Sequence, residues 1–252
     1  MIRLPFIRQA VMSRSAETDW TPLELASLAG WYRADNVTLD EEATPGVETW
    51  PDLSGNENHL GQVTTSARPT VAADFNGSGE PYLSFDGIND HLERASFALG
   101  GAELVVHVIG RVRFKSNGKR IVTYDQGGLS YPRIQQSSAG FSWWGPSAYP
   151  QSTVVNASSD FIDPGNLTLE YTASSGTRIF AGFNLVDADP GDPTAVTDGN
   201  PLTVAATSTG GNPSQLDLAE LIILNASVSS EDLDLLQQYT TRYGFPAPTP
   251  EA

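Results

Sequence analysis

The chain has 252 residues, of which 39% are hydrophobic and 17% are charged, and its formal net charge at pH 7 is −16. This length and composition predict one folded domain with a sizeable core and argue against a disordered or fibrous chain. The acidity argues against a nucleic-acid partner, because binding to phosphates needs a basic surface, and the lack of cysteine excludes disulfides, a thiol nucleophile and a zinc–thiolate site.

Residues 1–20 are predicted to form an N-terminal arm, since arginines alternate there with apolar residues and no strand–turn rhythm is present. Two interpretations stay open: a frayed terminus, or an assembly arm that docks Ile2, Phe6 and Val11 on a neighbouring subunit. The segment holds no apolar run long enough for a signal peptide or a membrane span. We therefore expect no membrane partner, and a product that is made in the cytoplasm and reaches its site of action by assembly or lysis.

A short N-terminal helix is predicted to begin at Thr21. Thr21 as N-cap, Pro22 at the first helical position and Glu24 two residues later form a capping box. Gly30 is expected to end this helix.

A second helix is predicted near the C-terminus. Ser229 is its expected N-cap, Asp232 occupies the third helical position, and Gly244 is the expected stop. These signals delimit one domain at residues 21–244, followed by a proline-rich tail at residues 245–252.

Between the two helices, apolar residues recur with the period of two that is typical of β-strands. In residues 103–114 one face is entirely apolar, and the other is mixed, with Val105 and Ile109 beside His107, Arg111 and Arg113. Shorter strands are predicted at residues 120–124, 133–136, 167–172, 178–186 and 216–224, separated by Gly, Pro, Asn and Asp. Many short strands without strand–helix alternation predict an all-β, two-sheet antiparallel sandwich.

Four segments occur in a characteristic order: WYRADNVTL (31–39), VETWPDLSGNENHLGQVTTSARPT (47–70), PYLSFDGINDHLE (81–93) and DLAELIILNASVSSEDLDLLQQYTTRYG (217–244). Together they resemble the concanavalin A-like, laminin-G-type superfamily, in the version common in bacterial surface proteins and bacteriophage particles. The resemblance implies a jelly-roll sandwich with a concave face on which relatives often bind a sugar or a partner. Residues 94–215 match by strand rhythm only.

The segment GFSWWGPSAY (140–149) concentrates aromatic residues. A period of two sends Trp143 and Trp144 to opposite faces. Trp144 and Tyr149 are therefore candidates to stack on a sugar ring or anchor a partner, and packing beneath a neighbouring loop is the alternative.

His107, Arg111 and Arg113 are further candidates, because they could line the concave surface and donate hydrogen bonds to hydroxyls or a carboxylate. The alternative is internal ion pairing with some of the 30 carboxylates of this chain.

Three acidic stretches have the oxygen-rich composition that suits a structural calcium ion. Their candidate ligands are Asp52 and Asn56, then Asp86 and Asp90, then Asp187, Asp189 and Asp192. The alternative is a set of hydrogen-bonded turns that pin the loops, since Asp and Asn side chains bind nearby backbone groups. No other cofactor is indicated.

The sequence lacks the Glu-x-Asp-x-x-Glu strand with which the glycosidases of this superfamily place two carboxylates for retaining hydrolysis. Asp217 and Glu220 are three residues apart, so regular alternation sends them to opposite faces. The three histidines show no metal-ligand or triad spacing. The sequence therefore predicts that the chain is not an enzyme.

From the resemblance and the arm, the favoured interpretation is a structural or decoration protein of a phage virion, attached through the arm to capsid or tail subunits or to other copies of itself. The alternative is a carbohydrate-binding module or adhesin that recognises a cell-surface polysaccharide, and a glycoside hydrolase is the least favoured. The expected location is the virion surface, or otherwise the cell surface or the extracellular space.

Overall fold

The computed structural model describes residues 20–43, 45–112, 118–125, 132–137, 140–144, 150–155, 165–172, 176–181, 184–189 and 196–245. Its strands in chain order are β1 (Leu28–Arg33), β2 (Thr38–Leu39), β3 (Val47–Trp50), β4 (Leu60–Gly61), β5 (Thr70–Ala72), β6 (Tyr82–Asp86), β7 (Leu92–Arg94), β8 (Leu104–Val112), β9 (Arg120–Tyr124), β10 (Arg133–Ser137), β11 (Gly140–Trp144), β12 (Pro150–Val155), β13 (Gly165–Thr172), β14 (Gly176–Ala181), β15 (Asn184–Asp189), β16 (Leu202–Val204) and β17 (Gln215–Leu224). The helix α1 spans Ser230–Thr240, and 3-10 turns lie at Pro22–Glu24, Thr65–Ala67, Phe75–Gly77 and Thr241–Tyr243.

The strands form two antiparallel sheets. Sheet A has eight strands in the order β15-β14-β13-β8-β17-β6-β5, and β1 pairs with the second half of β17. Sheet B has nine strands in the order β12-β11-β10-β9-β16-β7-β4-β3-β2. The prediction of a mostly-β chain with two antiparallel sheets is therefore confirmed.

The main hydrophobic core lies between the two sheets, because alternate residues of both contribute to it. In β8 of sheet A, Leu104, Val106 and Val108 face this core, and in β16 of sheet B, Leu202 and Val204 do so. The residues between them therefore face outward, on the opposite side of their own sheet.

The N-terminal helix predicted from Thr21 to Gly30 is reduced to a single 3-10 turn. The side chain of Thr21 makes no capping hydrogen bond, and Gly30 lies inside β1 instead of ending a helix. The reason is tertiary, since β1 pairs with β17 over Leu28–Arg33, and long-range strand pairing overrides a local capping preference.

The C-terminal helix is confirmed. The Ser229 hydroxyl accepts a hydrogen bond from the backbone N–H of Asp232 at 3.1 Å, and Gly244 ends the following turn in the left-handed region, with φ of 78°. No helix among the described residues is long and apolar enough to cross a membrane.

Several sequence-based predictions lie outside the described residues. They are the arm with Ile2, Phe6 and Val11, the candidate binding residues Arg113 and Tyr149, the candidate ligand Asp192, and the tail after residue 245.

Candidate functional site

A row of polar residues crosses the outer face of sheet B. Thr203 of β16 lies opposite Glu93 on one side and Thr123 on the other, and Thr123 lies opposite Arg133. Residues that lie opposite each other in an antiparallel sheet share one face. Because the neighbours of Thr203 in β16 face the core, this row faces away from it.

The backbone of Trp144 continues the row, since it pairs in register with Arg133. Only the backbone position of Trp144 is described, so its predicted contact with a sugar or partner stays a prediction. The polar row is defined here as Glu93, Thr203, Thr123 and Arg133.

Three members of the polar row are buried although they lie outside the main core, and the fourth, Glu93, is half-buried. Thr203 and Thr123 have no exposed surface, and Arg133 is 8% exposed. Among the residues that the structure describes, the hydroxyl of Thr203 has no hydrogen-bond partner. A buried hydroxyl without a partner destabilises a fold by about 1–3 kcal/mol, so its presence here calls for an explanation.

A short polar segment, the strap (residues 206–211), folds over this face directly after β16. The Thr123 hydroxyl donates to the carbonyl of Ala206 at 3.1 Å, and the Ser208 hydroxyl donates to the carboxylate of Asp125 just beyond β9. The strap is closed on itself, because the Thr207 N–H donates to the Gly211 carbonyl at 2.9 Å. It therefore brings hydroxyl groups close to the polar row.

The predicted binding residues of β8 lie on the other sheet. His107 faces outward from sheet A, is completely buried, and shares a hydrogen bond of 2.7 Å between its Nδ1 and the Thr168 hydroxyl. Burial lowers the pKa of His107 to about 3, so the imidazole is neutral at pH 7. Since the core separates the two outer faces, the structure does not bring His107 and Trp144 into one groove.

Arg111 also lies on sheet A, in an internal ion pair. Its Nε donates to Asp217 Oδ2 at 2.5 Å, and its guanidinium carbon lies 5.5 Å from the centre of the Tyr82 ring. Ion pairing is the alternative that the sequence left open for this arginine.

Asp52 is held in a hydrogen-bonded loop. Its Oδ1 accepts from the backbone N–H groups of Trp31 and Ser54, both at 2.9 Å, and its Oδ2 accepts from the Ser54 hydroxyl at 2.8 Å and the Asn58 N–H at 3.0 Å. The Asn56 amide donates to a backbone carbonyl of β1 at 3.1 Å. The carboxylate oxygens of Asp52 thus already accept four hydrogen bonds, which pin this loop to β1.

The loop after β6 is built in the same way. Asp86 Oδ1 accepts from the backbone N–H groups of Ile88 at 2.7 Å and Asn89 at 3.2 Å, and Asp90 Oδ2 accepts from the Asp86 N–H at 3.0 Å. Burial raises the pKa of Asp90 to about 6. The Asn89 amide ties the loop to the Ser66 carbonyl at 2.6 Å, so this loop and that of Asp52 bind to different parts of the chain.

The third acidic stretch is partly strand. Asp187 and Asp189 belong to β15 and pair with Ile179 and Thr177 of β14, so these two candidate ligands lie in a strand and not in a loop. Among the described residues, no group of three or more His, Cys, Asp and Glu side chains could hold a metal ion. Calcium binding by any of these stretches stays a prediction.

A buried carboxylate on sheet A was not predicted as a site. Glu220 is completely buried and accepts hydrogen bonds from Trp31 Nε1 at 2.5 Å, from the Tyr239 hydroxyl at 3.2 Å and from the Tyr243 hydroxyl. Burial raises the pKa of Glu220 to about 7, against the opposing effect of these donors. Because Tyr239 lies on α1 and Tyr243 on the following turn, Glu220 fastens the C-terminal helix to sheet A.

A β-bulge explains why Glu220 points to this helix. The pairing register of β17 with β8 shifts between Leu218 and Glu220, and a bulge places consecutive residues on one face. Ala219 packs against Tyr243, which also bonds to Glu220. Asp217 and Glu220 consequently share the outer face, and the prediction that they face opposite ways is wrong.

The arrangement defines an antiparallel β-sandwich domain compatible with a lectin-like jelly roll. A sialidase of Trypanosoma rangeli has a similar fold, with a TM-score of 0.61 and 7% sequence identity over 88% of this chain and 34% of its own. The structure of the same enzyme in complex with sialic acid has a TM-score of 0.60 and 8% sequence identity, over 88% of this chain and 34% of its own. The binding domain of Paraclostridial Mosquitocidal Protein 1 has a TM-score of 0.53 and 12% sequence identity, over 81% of this chain and 52% of its own.

The chain thus spans about a third of the sialidase chain and about half of the toxin domain chain. No family model matches the sequence, and no curated protein matches it. At such low identities the likeness shows a shared fold and nothing more specific.

The likeness contradicts the prediction that the chain is not an enzyme, because the fold recurs in a sialidase. Three reasons supported that prediction, and two of them fail: the missing acidic motif and the opposed faces of Asp217 and Glu220. Sialidases use a tyrosine nucleophile in place of the two-carboxylate arrangement, so the missing acidic motif does not exclude a glycosidase. The opposed faces expected for Asp217 and Glu220 are removed by the bulge in β17.

Proposed function

We propose that this chain is a carbohydrate-binding domain of the lectin-like, jelly-roll type, and that the polar row on sheet B is its sugar site. The unpartnered hydroxyl of Thr203 carries the proposal. A threonine hydroxyl can donate one hydrogen bond and accept two, which matches the donor and acceptor capacity of sugar hydroxyls. A bound sugar would satisfy this group and remove its cost.

The neighbouring groups support the same ligand class. Arg133 adds a planar donor group to the row, and the strap adds the hydroxyl of Ser208, which donates to Asp125 just beyond β9. Sites that recognise small polar ligands combine a few such convergent polar groups with an apolar or aromatic surface. The register position of Trp144 beside Arg133 is consistent with an aromatic contribution.

Sheet A is the weaker candidate because α1 covers much of its outer face. Leu236 of α1 packs on Val105 and Ile222 of that face. Its carboxylates also have internal partners, since Glu170 binds Arg178 and the Val228 N–H. A ligand would have to displace these contacts.

The structural neighbours are consistent with a sugar ligand at the level of fold. One is a sialidase that has been solved with sialic acid, and another is named as a binding domain. Which sugar this chain takes has to come from measurement, so a glycan array probed with the purified full chain is the first experiment.

A pair of threonine variants tests the site itself. Thr203→Val removes the unpartnered hydroxyl while keeping the side-chain shape, so we expect the free energy of unfolding to rise by about 1 kcal/mol. Binding to the glycans that the array identifies is expected to weaken about fivefold, which corresponds to one lost hydrogen bond.

The matched control is Thr168→Val on sheet A, which removes the hydrogen bond to His107. It is expected to lower the free energy of unfolding by about 1 kcal/mol and to leave glycan binding unchanged. A chain that binds no glycan, or a Thr203→Val variant that binds with full affinity, would refute the proposed site.

A further inference from the structure

The strap is attached to the sandwich in an unusual way. It is entered through Ala205, which has φ of 69°, and left through Asn212, which has φ of 52°. Both residues therefore adopt the left-handed region, which is unfavourable for alanine but is tolerated by asparagine. Ala205 is in addition completely buried, and neither position carries the glycine that this conformation favours.

Between these two positions the strap is internally bonded. The Gly210 N–H donates to the Thr207 carbonyl at 2.8 Å, and the Gly211 N–H donates to the Thr207 hydroxyl at 2.9 Å. A segment with its own hydrogen bonds and a strained residue at its entry can move as one unit, because the φ/ψ changes concentrate at the ends.

Within the part of the chain that the structure describes, two side-chain hydrogen bonds hold the strap against the outer face of sheet B. They are the bond from the Thr123 hydroxyl to the Ala206 carbonyl at 3.1 Å and the bond from Ser208 to Asp125. The burial of Ala206 and Thr207 also opposes opening, whereas strain at Ala205 favours it. Thr203 of the polar row lies directly beside Thr123, under the region that the strap would uncover.

We propose that the strap (residues 206–211) is a lid over the polar row, which opens by rotation at Ala205 and Asn212 and admits a sugar to Thr203. This inference deepens the proposed function, on which the identity of the admitted ligand rests. The opening itself is a property of the free protein and can be measured without any sugar.

A single cysteine can report the opening, because the chain has no other. In a Thr203→Cys variant of the full chain, the rate of alkylation by iodoacetamide measures how often residue 203 becomes accessible. A Val204→Cys variant is the matched control, since Val204 is the next residue of β16 and faces the main core. Alkylation at residue 204 reports opening of the whole sandwich.

Two strap variants in each cysteine background are expected to act in opposite directions. Ser208→Ala removes the bond to Asp125 and should speed alkylation at residue 203 about tenfold. Ala205→Gly relieves the strain of the closed strap and should slow it about tenfold. Thr209→Ala, which alters a contact inside the strap only, should leave it unchanged.

The opposite signs separate a lid from a loosely held loop, in which an added glycine would speed alkylation instead of slowing it. Equal rates in all variants, or parallel changes at residues 203 and 204, would overturn the lid. If the two variants change the alkylation rate at residue 203 in opposite directions but the glycan array shows no binding, the lid would be supported and the sugar site would be refuted.

Discussion

Replacing Glu220 by glutamine should change how the stability of the chain depends on pH. Glu220 has no exposed surface, and burial raises its pKa from an ordinary value of 4.5 to about 7. A carboxyl whose pKa is raised by folding stabilises the native state fully below its unfolded pKa. That contribution is lost as the pH rises through the folded pKa.

The size of the effect follows from the shift. The shift from 4.5 to about 7 corresponds to about 3 kcal/mol, since each pKa unit is worth about 1.4 kcal/mol. The free energy of unfolding of the native chain should therefore fall by about 3 kcal/mol, relative to Glu220→Gln, between pH 4.5 and pH 8. Glutamine does not titrate and keeps an acceptor oxygen for Trp31 or a tyrosine.

The measurement is urea unfolding of both chains at several pH values in this range, followed by tryptophan fluorescence. Other carboxylates titrate in both chains, so only the difference between them isolates Glu220. Glu231→Gln is the control for removal of one carboxylate, because Glu231 lies exposed in the first turn of α1. If the three donors outweighed burial, the pKa of Glu220 would lie below 4.5 and the difference would change in the opposite direction.

Two further predictions concern local geometry and charge. Gly87→Ala should destabilise the chain by about 2–4 kcal/mol in thermal unfolding, because φ is 76° there and a new Cβ would lie 2.9 Å from the Gln215 backbone nitrogen. Gly55→Ala is its control: φ is 87° but nothing lies within 4 Å, so only about 1 kcal/mol is expected, and equal losses would argue against the crowding at Gly87. The ring protons of His107 should keep one NMR shift from pH 5 to pH 8, because burial holds its pKa near 3, and a titration in that range would contradict the burial described for this ring.

Strand periodicity made much of the sandwich predictable, because an alternating sequence such as residues 104–112 can bury one face only as a strand. The C-terminal helix was predictable because Ser229 and Gly244 act through local backbone geometry. Both kinds of signal are contained in a few consecutive residues. The Asx turns around Asp52 and Asp86 also depend on a few consecutive residues, so the sequence could indicate them as the alternative to a calcium site.

What the sequence did not reveal depends on pairing between distant segments. Gly30 lies in a strand because β17 is available to pair with β1. The bulge at Glu220 arises from the register of β17 against β8, and the local sequence contains no signal that predicts it. The polar row combines strands from residues 93 to 203, so its members could not be grouped before the strand order was known.

The resemblance to phage and cell-surface proteins rests on the sequence motifs alone. The virion partner, the virion location and docking through Ile2, Phe6 and Val11 stay predictions. The proposed sugar site on sheet B does not depend on them, because the polar row lies within the described residues.

The two outer faces of this sandwich differ in what stabilises them, and the difference favours sheet B as the functional face. On sheet A, the carboxylate of Glu220 has three donors and Asp217 has an arginine, so substitution there would lose internal contacts. On sheet B, the Thr203 hydroxyl lowers stability and has no internal partner, and valine would fit the same space. A valine would be the more stable residue at this position, and the proposed sugar ligand would give the hydroxyl of Thr203 the partner that the described residues do not supply.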